Sequence, residues 1–370
     1  MAKTRTSSID LDLLERLSLA PGPSGSEGPV VAILRKALEP FVTEIRVDRP
    51  GNLIARIPGK KKGARSAAII AHMDEVGLVV RNIESDGFIR VARIGGIGRR
   101  SLAARPVQFI TAGGLVPGVI GVKAHHLTDP SESQLLPTVD HVYVDVGASS
   151  AAEVKELGIE IGTKAVYDAA FRRLAHGRIS GKAIDDRALC YAQVEIARRL
   201  KAAPPPGDVW LIGSVREEFD LSGAVQATMA VKPDFALVLD ITPTADTPDL
   251  AGVNSVRLGA GPAVKSYDFH GRGPLAGYIA PPGLVERIEV EARAAKIATQ
   301  REVVIGVVTD AVEVGRAPEA PVVGCLALPM RYSHSPIELA ALDDLSALIE
   351  LATRVVTVLP SDAEVFQPPW

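Results

Sequence analysis

The 370-residue sequence predicts an α/β protein: a mixed, mostly parallel sheet sandwiched by helices and interrupted once by a small all-β insert. Three observations carry this expectation. After about residue 165, apolar strand-like runs alternate with segments whose apolar residues recur at helical spacing, the pattern of a mostly parallel sheet covered on both faces. Between residues 75 and 165 that alternation stops, and short β-type runs follow one another across glycine-rich turns such as "IGGIGRR" and "TAGGLVPG". Residues 66–80 are one continuous apolar run, "SAAIIAHMDEVGLVV", interrupted only by His72, Asp74 and Glu75. The expected division is residues 1–74 with 166–370 for the α/β domain, and 75–165 for the insert.

Element by element, residues from about Asp10 to Leu19 read as a short amphipathic helix, followed by a Pro/Gly turn. Ser24 or Ser26 is placed to cap the next helix, "EGPVVAILRKALEPF". "EIRVDRPGNLIARIPG" reads as a hairpin turning at Pro50-Gly51-Asn52. In the insert, Gly87 to Arg93, Val107 to Ile110, Val116 to Val122 and His141 to Val146 are β-type runs of a small barrel or sandwich, with helical signal only at "AAEVKELG". "DRALCYAQVEIARRLKAAP" is a helix stopped by Pro204-Pro205-Pro206. A strand at 209–215, a helix near "LSGAVQATMAV" and the strand "DFALVLDIT" follow. Then come the helix "PGLVERIEVEARAAKIAT", the strands "REVVIGVV" and "APVVGCLALP", and the final helix "LDDLSALIELATRVVTVL".

Composition removes several function classes. Apolar content of 47% and charged content of 23% are those of an ordinary globular protein. A net charge of -3 and an aromatic fraction of 4% argue against nucleic acid and against an anionic membrane surface as partners. Cys190 and Cys325 stand alone in apolar surroundings, in neither disulfide nor metal spacing, so both read as buried and reduced. The first twenty residues lack the apolar core of a signal peptide, and no run reaches the roughly 20 apolar residues that span a bilayer. A cytoplasmic location is the expectation.

The chemistry gathers where apolar strands stop. His72-x-Asp74 follows "SAAIIA", Asp185-Asp186 stands in "GKAIDDR", Glu217-Glu218 follows "VWLIGSV", Asp240 ends "DFALVL", and His334 lies in "RYSHSP". In open α/β sheets ligands bind beyond the carboxyl ends of strands, so groups distant in sequence converge there. Histidine and carboxylate donors without thiolates suit divalent transition metals such as Zn, Co or Mn. Two histidines and three carboxylates can hold two cations if one carboxylate bridges, which leaves one member of the Glu217-Glu218 pair as general base. It also explains two adjacent carboxylates at a strand end, since like charges held close need cations between them and Arg216 alone does not suffice. Each piece alone is ordinary: a satisfied histidine, a helix start with a salt bridge, a solvated glutamate pair, a helix cap. Their recurrence at separate strand ends carries the expectation. His125-His126, His141, His176 and His270 read as structural or surface groups. No phosphate loop and no G-x-S-x-G nucleophile elbow is present.

"AHMDEVGLVV", "GKAIDDRALC", "SVREEFDLSGA", "VLDITPTADTP", "TDAVEV" and "MRYSHSPIEL" occur here in one order. As a set they resemble the dinuclear metallo-aminopeptidases of the glutamyl aminopeptidase / endoglucanase-M-like family, which includes the tetrahedral (TET) aminopeptidases. The likeness runs from about residue 10 to 355 and takes in the insert through "RIGGIGRRSL" and "VYVDVGASSAAEVKELGIEIG". The resemblance implies a zinc-exopeptidase-like α/β domain with a PDZ-like insert used in oligomer contacts, and homo-oligomers from dimers to twelve-subunit tetrahedral shells. It implies that His72 and Asp240 hold one metal, Glu218 and His334 the other, and Asp185 both. Glu217 is then the general base and Asp74 fixes the tautomer of His72. The implied activity is removal of the N-terminal residue from short peptides, with Zn or Co, or else Mn, as the cation pair. The alternatives are a metallo-deacylase or dipeptidase acting on N-acyl amino acids, a metal-free endoglucanase, or a non-catalytic peptide-binding scaffold. The chain departs from the family's usual wording in "FDLSGA" after the acidic pair and in Val308 before "TDA", which bears on substrate preference.

Overall fold

The apolar runs form the strands of one sheet, and the glycine-punctuated segment between them forms a barrel. The computed structural model describes residues 9–129, 131, 139–250, 252–271 and 275–367. Residues 1–8, part of the stretch read as lacking a signal-type core, lie outside the described residues. In chain order the strands up to the barrel's end are β1 (Glu44–Val47), β2 (Leu53–Ile57), β3 (Ala67–His72), β4 (Gly77–Ile83), β5 (Ile89–Ile94), β6 (Pro106–Thr111), β7 (Gly114–Ile120), β8 (Tyr143–Asp145) and β9 (Lys164–Tyr167). The rest are β10 (Arg172–Leu174), β11 (Arg178–Gly181), β12 (Val209–Ser214), β13 (Phe235–Pro243), β14 (Ala263–Phe269), β15 (Gly277–Ile279), β16 (Gln300–Ile305), β17 (Val322–Arg331) and β18 (Glu338–Ala341). The helices are α1 (Leu11–Leu19), α2 (Gly28–Leu38), α3 (Ala151–Glu156), α4 (Ile184–Ala202), α5 (Glu217–Asp220), α6 (Ser222–Val231), α7 (Leu284–Ala294), α8 (Ala311–Arg316) and α9 (Leu342–Val358).

Among the described residues, twelve strands make one mixed sheet in the order β1-β2-β12-β3-β13-β17-β18-β11-β10, with β14, β15 and β16 attached beside β17. The four central strands β12, β3, β13 and β17 are parallel. The flanks are antiparallel, in the β1–β2 hairpin, the β2–β12 pair and the run β17–β18–β11–β10. Parallel pairing recurs between β14 and β16, so the sheet as a whole is mixed, with its parallel part at the centre and in that outlying pair. Helical crossovers join the central strands, whereas short connections at the edges reverse the chain.

Strand alternation puts a core on each face. Ile69, Leu211, Leu237 and Leu326 face one way, where α1, α2, α4, α7 and α9 bury Leu14, Leu34, Leu189, Ile288 and Leu348 on them. Ala68, Ile70, Ile212 and Val238 face the other way, under Ala224 and Ala227 of α6 and Val312 of α8. The parallel register pairs Ser214 with His72, so β12 and β3 stop at the same level. β13 pairs Val238 with Ile70, which brings Asp240 to that level too.

Six strands close into a barrel, β4-β5-β8-β7-β6-β9, around Leu78, Val80, Val91, Phe109, Ile120 and Val144. The barrel meets the sheet domain beside the α1–α2 loop, where Pro23 bridges to Glu75 and Lys164 Nζ donates to the Ser24 carbonyl at 2.7 Å.

One local expectation needs correction, and one strand was not anticipated. Helix α2 starts at Gly28 with Glu27 at its N-cap position and no side-chain capping bond, so neither Ser24 nor Ser26 caps it. Ser24 lies too far upstream, and its hydroxyl donates instead to Asp74. The sequence around residues 259–262 reads only as a turn; it is one, with Gly259 and Gly261 at positive φ, but it leads into an unanticipated strand, β14.

Candidate metal centre

His72 is the last residue of β3 and is almost wholly buried. Its amide donates to Asp186 Oδ2 at 3.0 Å. Its Nδ1 lies 3.2 Å from the Asp74 carbonyl oxygen, which can only accept, so Nδ1 carries the proton and Nε2 is left facing the site. Nε2 lies 3.2 Å from Asp185 Oδ1 and 3.9 Å from Glu217 Oε2.

Asp185 and Asp186 stand in the first turn of α4 with non-helical backbone angles, and the peptide bond between them is cis. The Asp185 carboxylate stands between the two histidines: Oδ1 faces His72 and Oδ2 lies 3.5 Å from His334 Nε2. His334 follows β17 on a backbone with φ of 59°, and its Nε2 lies 3.2 Å from Glu218 Oε1. One oxygen or nitrogen from each of His72, Asp185, Asp186 and Asp240 lies within 4.8 Å of the others, as does one from each of Asp185, Glu218 and His334. The two groups share Asp185. Arg216, next to the acidic pair in sequence, is exposed, and its amide donates to Glu27.

Two carboxylates behind the cleft hold the main chain in place. Asp74 accepts from the amides of Glu217 at 3.0 Å and Glu218 at 3.1 Å, and from the Ser24 hydroxyl at 2.6 Å. The expected contact of Asp74 with His72 is thus mainly through its carbonyl; the nearer carboxylate oxygen is 3.4 Å from Nδ1. Glu338, buried at the start of β18, does the same on the other side, accepting from the amides of Asp185 at 3.0 Å and His334 at 2.9 Å. Sequence reasoning missed Glu338; its one signal is an acid four residues after His334. It also missed Asp310, whose carboxylate accepts from Ser214 at the end of β12, and His270, which lines the cleft.

Burial and crowding shape the charges. Burial, with the nearby Asp185 charge, pushes the Asp240 carboxyl up to about 8. Burial raises Glu217 well above the usual carboxylate range, with Asp240, Glu218 and Asp310 adding to it against the opposing pull of His72. Asp186 is raised by burial and by Asp240 and Asp185, and its Oδ1 is buried without a partner. Burial alone would lower His72, but the charge of Glu217 and the hydrogen bonds to Asp185 and Asp74 outweigh it and hold the imidazole well above its ordinary value. This surplus of buried acid over base, with oxygen and nitrogen donors and no sulfur, is the environment a divalent cation relieves. The residues present fit such cations.

The site opens into a cleft of about 470 Å³ whose walls include Gly96 from the barrel, Ile241, Ala276, Val307 and Val308. Phe219 and Asp220, the departures noted in the sequence, stand exposed on its rim.

The sequence profile of the family described as M42 glutamyl aminopeptidase matches residues 51–351. Among curated proteins, the chain is 37% identical to the putative aminopeptidase SgcX of Escherichia coli, across 90% of this chain and 89% of that one. Among solved structures, aminopeptidase APDkam598 from the archaeon Desulfurococcus kamchatkensis superposes with a TM-score of 0.88 at 35% identity, covering 96% of both chains. The TET1 peptidase of Pyrococcus horikoshii, described as assembling into a tetrahedron or a large octahedral shell, gives 0.83 at 28% identity, covering 94% of this chain and 99% of that one.

Proposed function

The chain belongs to the M42 glutamyl aminopeptidase family, and from that premise we propose that this hydrolase removes the N-terminal residue of short peptides with two divalent cations and Glu217 as general base. The observation that carries the proposal is the pair of donor groups sharing Asp185 at the carboxyl ends of β3, β12, β13 and β17. In this reading His72 and Asp240 hold one cation, Glu218 and His334 the other, and Asp185 both. Zn or Co suits the donor set best, and Mn is compatible with it. When bound, the cations supply positive charge that polarises the scissile carbonyl and acidifies water.

The chain's own groups do the rest. Glu217, buried and raised, takes a proton from the attacking water at its carboxylate and returns it to the leaving amine as the C–N bond breaks. The concentrated acidic charge of the cleft favours a protonated substrate α-amine, which sets an exopeptidase apart from an enzyme acting on N-acylated substrates. Asp74 and Glu338 keep the acting carboxylates in register from behind. Glu217→Gln is expected to keep its metal content while kcat on aminoacyl-p-nitroanilides falls by roughly 10²–10⁴-fold. Metal analysis beside that assay checks it, and turnover at the original rate would remove Glu217 from the role. N-acetylated counterparts of the same substrates should not be cleaved.

We further propose that residues 75–165 form a PDZ-like oligomerisation domain set into a catalytic domain of residues 1–74 and 166–370. The barrel leaves Leu115, Val119 and Leu127 exposed, and the similar TET1 peptidase is described as forming shells. Light scattering should return a multiple of the 39.0 kDa chain, from a dimer to twelve subunits. A monomer at micromolar concentration would contradict the assignment.

A further inference from the structure

Both site histidines donate from Nδ1 to a backbone carbonyl, but the two acceptors differ in origin. For His72 the acceptor belongs to Asp74, two residues on in the same segment. For His334 it is the carbonyl of Gly96, 3.2 Å away and 238 positions earlier, in the turn that leaves barrel strand β5. A carbonyl cannot donate, so the Gly96 contact puts the proton on Nδ1 and leaves Nε2 to face Asp185 and Glu218.

The fit of this turn is close. A Cβ on Gly96 would lie 2.7 Å from His334 Nδ1 and 3.0 Å from Cε1. At Gly95, with φ of +77°, a Cβ would lie 3.2 Å from the Glu218 carbonyl oxygen and 3.4 Å from Glu218 Cβ. Gly96 therefore packs against the His334 ring and Gly95 against the backbone of Glu218, and Arg93 braces the turn by donating to the Ile97 carbonyl at 2.9 Å.

We infer that the barrel is part of the metal centre: Gly95-Gly96 sets the tautomer and position of His334, so the Asp185–Glu218–His334 group holds its cation only while the barrel is seated on the sheet. The His72–Asp185–Asp240 group, locked within its own segment, does not depend on the barrel. Gly96 is a positioning residue, and the inference rests on the proposed reading of the two groups as cation sites.

The test titrates metal-free protein with Zn in competition with a chelator, for wild type, Gly96→Ala and Gly98→Ala. Gly98 lies in the same turn, but its Cβ would meet only Ser101 Oγ, at 3.4 Å. Wild type and Gly98→Ala should bind two ions alike. Gly96→Ala should keep one at unchanged affinity and bind the second about 10–100-fold more weakly. Two unchanged affinities in Gly96→Ala would overturn the inference and leave the proposed function standing. A wild type that binds no ion would overturn both. Should Gly96→Ala fail to fold, histidine-labelled wild type loaded with Zn decides by NMR. A slowly exchanging His334 Nδ1 proton in contact with the Gly96 α-protons is expected; a freely exchanging one, or attachment through Nδ1, overturns the inference.

Discussion

Asp74 and Glu338 show how single residues hold this site without entering its chemistry. Each spends both carboxylate oxygens on main-chain amides: Asp74 on Glu217 and Glu218, Glu338 on Asp185 and His334. Together they clamp four amides in three of the segments that deliver functional side chains. Replacing Glu338 with Ala leaves the buried amide of Asp185 unpaired, at a cost of about 1–3 kcal/mol, unties the half-buried amide of His334, and frees the backbone there to relax from its left-handed angles. Glu338→Ala is therefore expected to lower both the melting temperature and the affinity for the second cation, with Glu338→Gln, which keeps one acceptor, falling between. Calorimetry and chelator competition read the two effects, and a Glu338→Ala protein indistinguishable from wild type would remove the clamp. His72, Asp185, Glu217, Glu218, Asp240 and His334 were legible in the sequence because each is a polar group abutting an apolar run. Glu338 was not, because its strand is short and follows a turn. Gly96 was not, because it acts through a carbonyl that every residue possesses.

At the scale of elements, legibility followed burial. β3, β12, β13 and β17 are covered on both faces, so each is a continuous apolar word that the sequence displays. The strands attached beyond β17 are less plain. β16 alternates buried and exposed residues, and β14 carries Lys265 and Asp268 wholly buried, with Lys265 Nζ 3.7 Å from Asp268 and 3.5 Å from Glu302. Charges that neutralise one another inside the fold erase the apolar pattern by which a buried strand is recognised. The same holds for α5, a single turn whose two flanking residues, Arg216 and Leu221, have positive φ. No periodicity announces so short an element, yet it aims Glu217 and Glu218 in different directions from adjacent positions. Helix α6 then packs hard against the end of β12: a Cβ on Gly223 would lie 2.0 Å from the Val215 carbonyl oxygen. This close approach fixes where β12 ends, and with it the acidic pair.

For the molecule as a whole, the chain runs through the sheet, out into the barrel and back, and the return is functional as well as architectural. The barrel leaves the sheet after Asp74, beside the site, and the chain rejoins the sheet through the edge strands β10 and β11, which lead to the Asp185–Asp186 turn. Among the described residues of the barrel, Gly96 lines the cleft, and Gly95-Gly96 packs against Glu218 and His334 of the second group. Separate strand ends and the barrel converge on the groups proposed to hold a pair of cations. Anomalous X-ray diffraction from Zn-loaded crystals tests it most directly. Two anomalous peaks are expected in each subunit, one bounded by His72, Asp185 and Asp240 and the other by Asp185, Glu218 and His334, with Asp185 common to both. A fully loaded crystal with no peak among these residues, or with peaks that leave His334 and Glu218 unengaged, would contradict it.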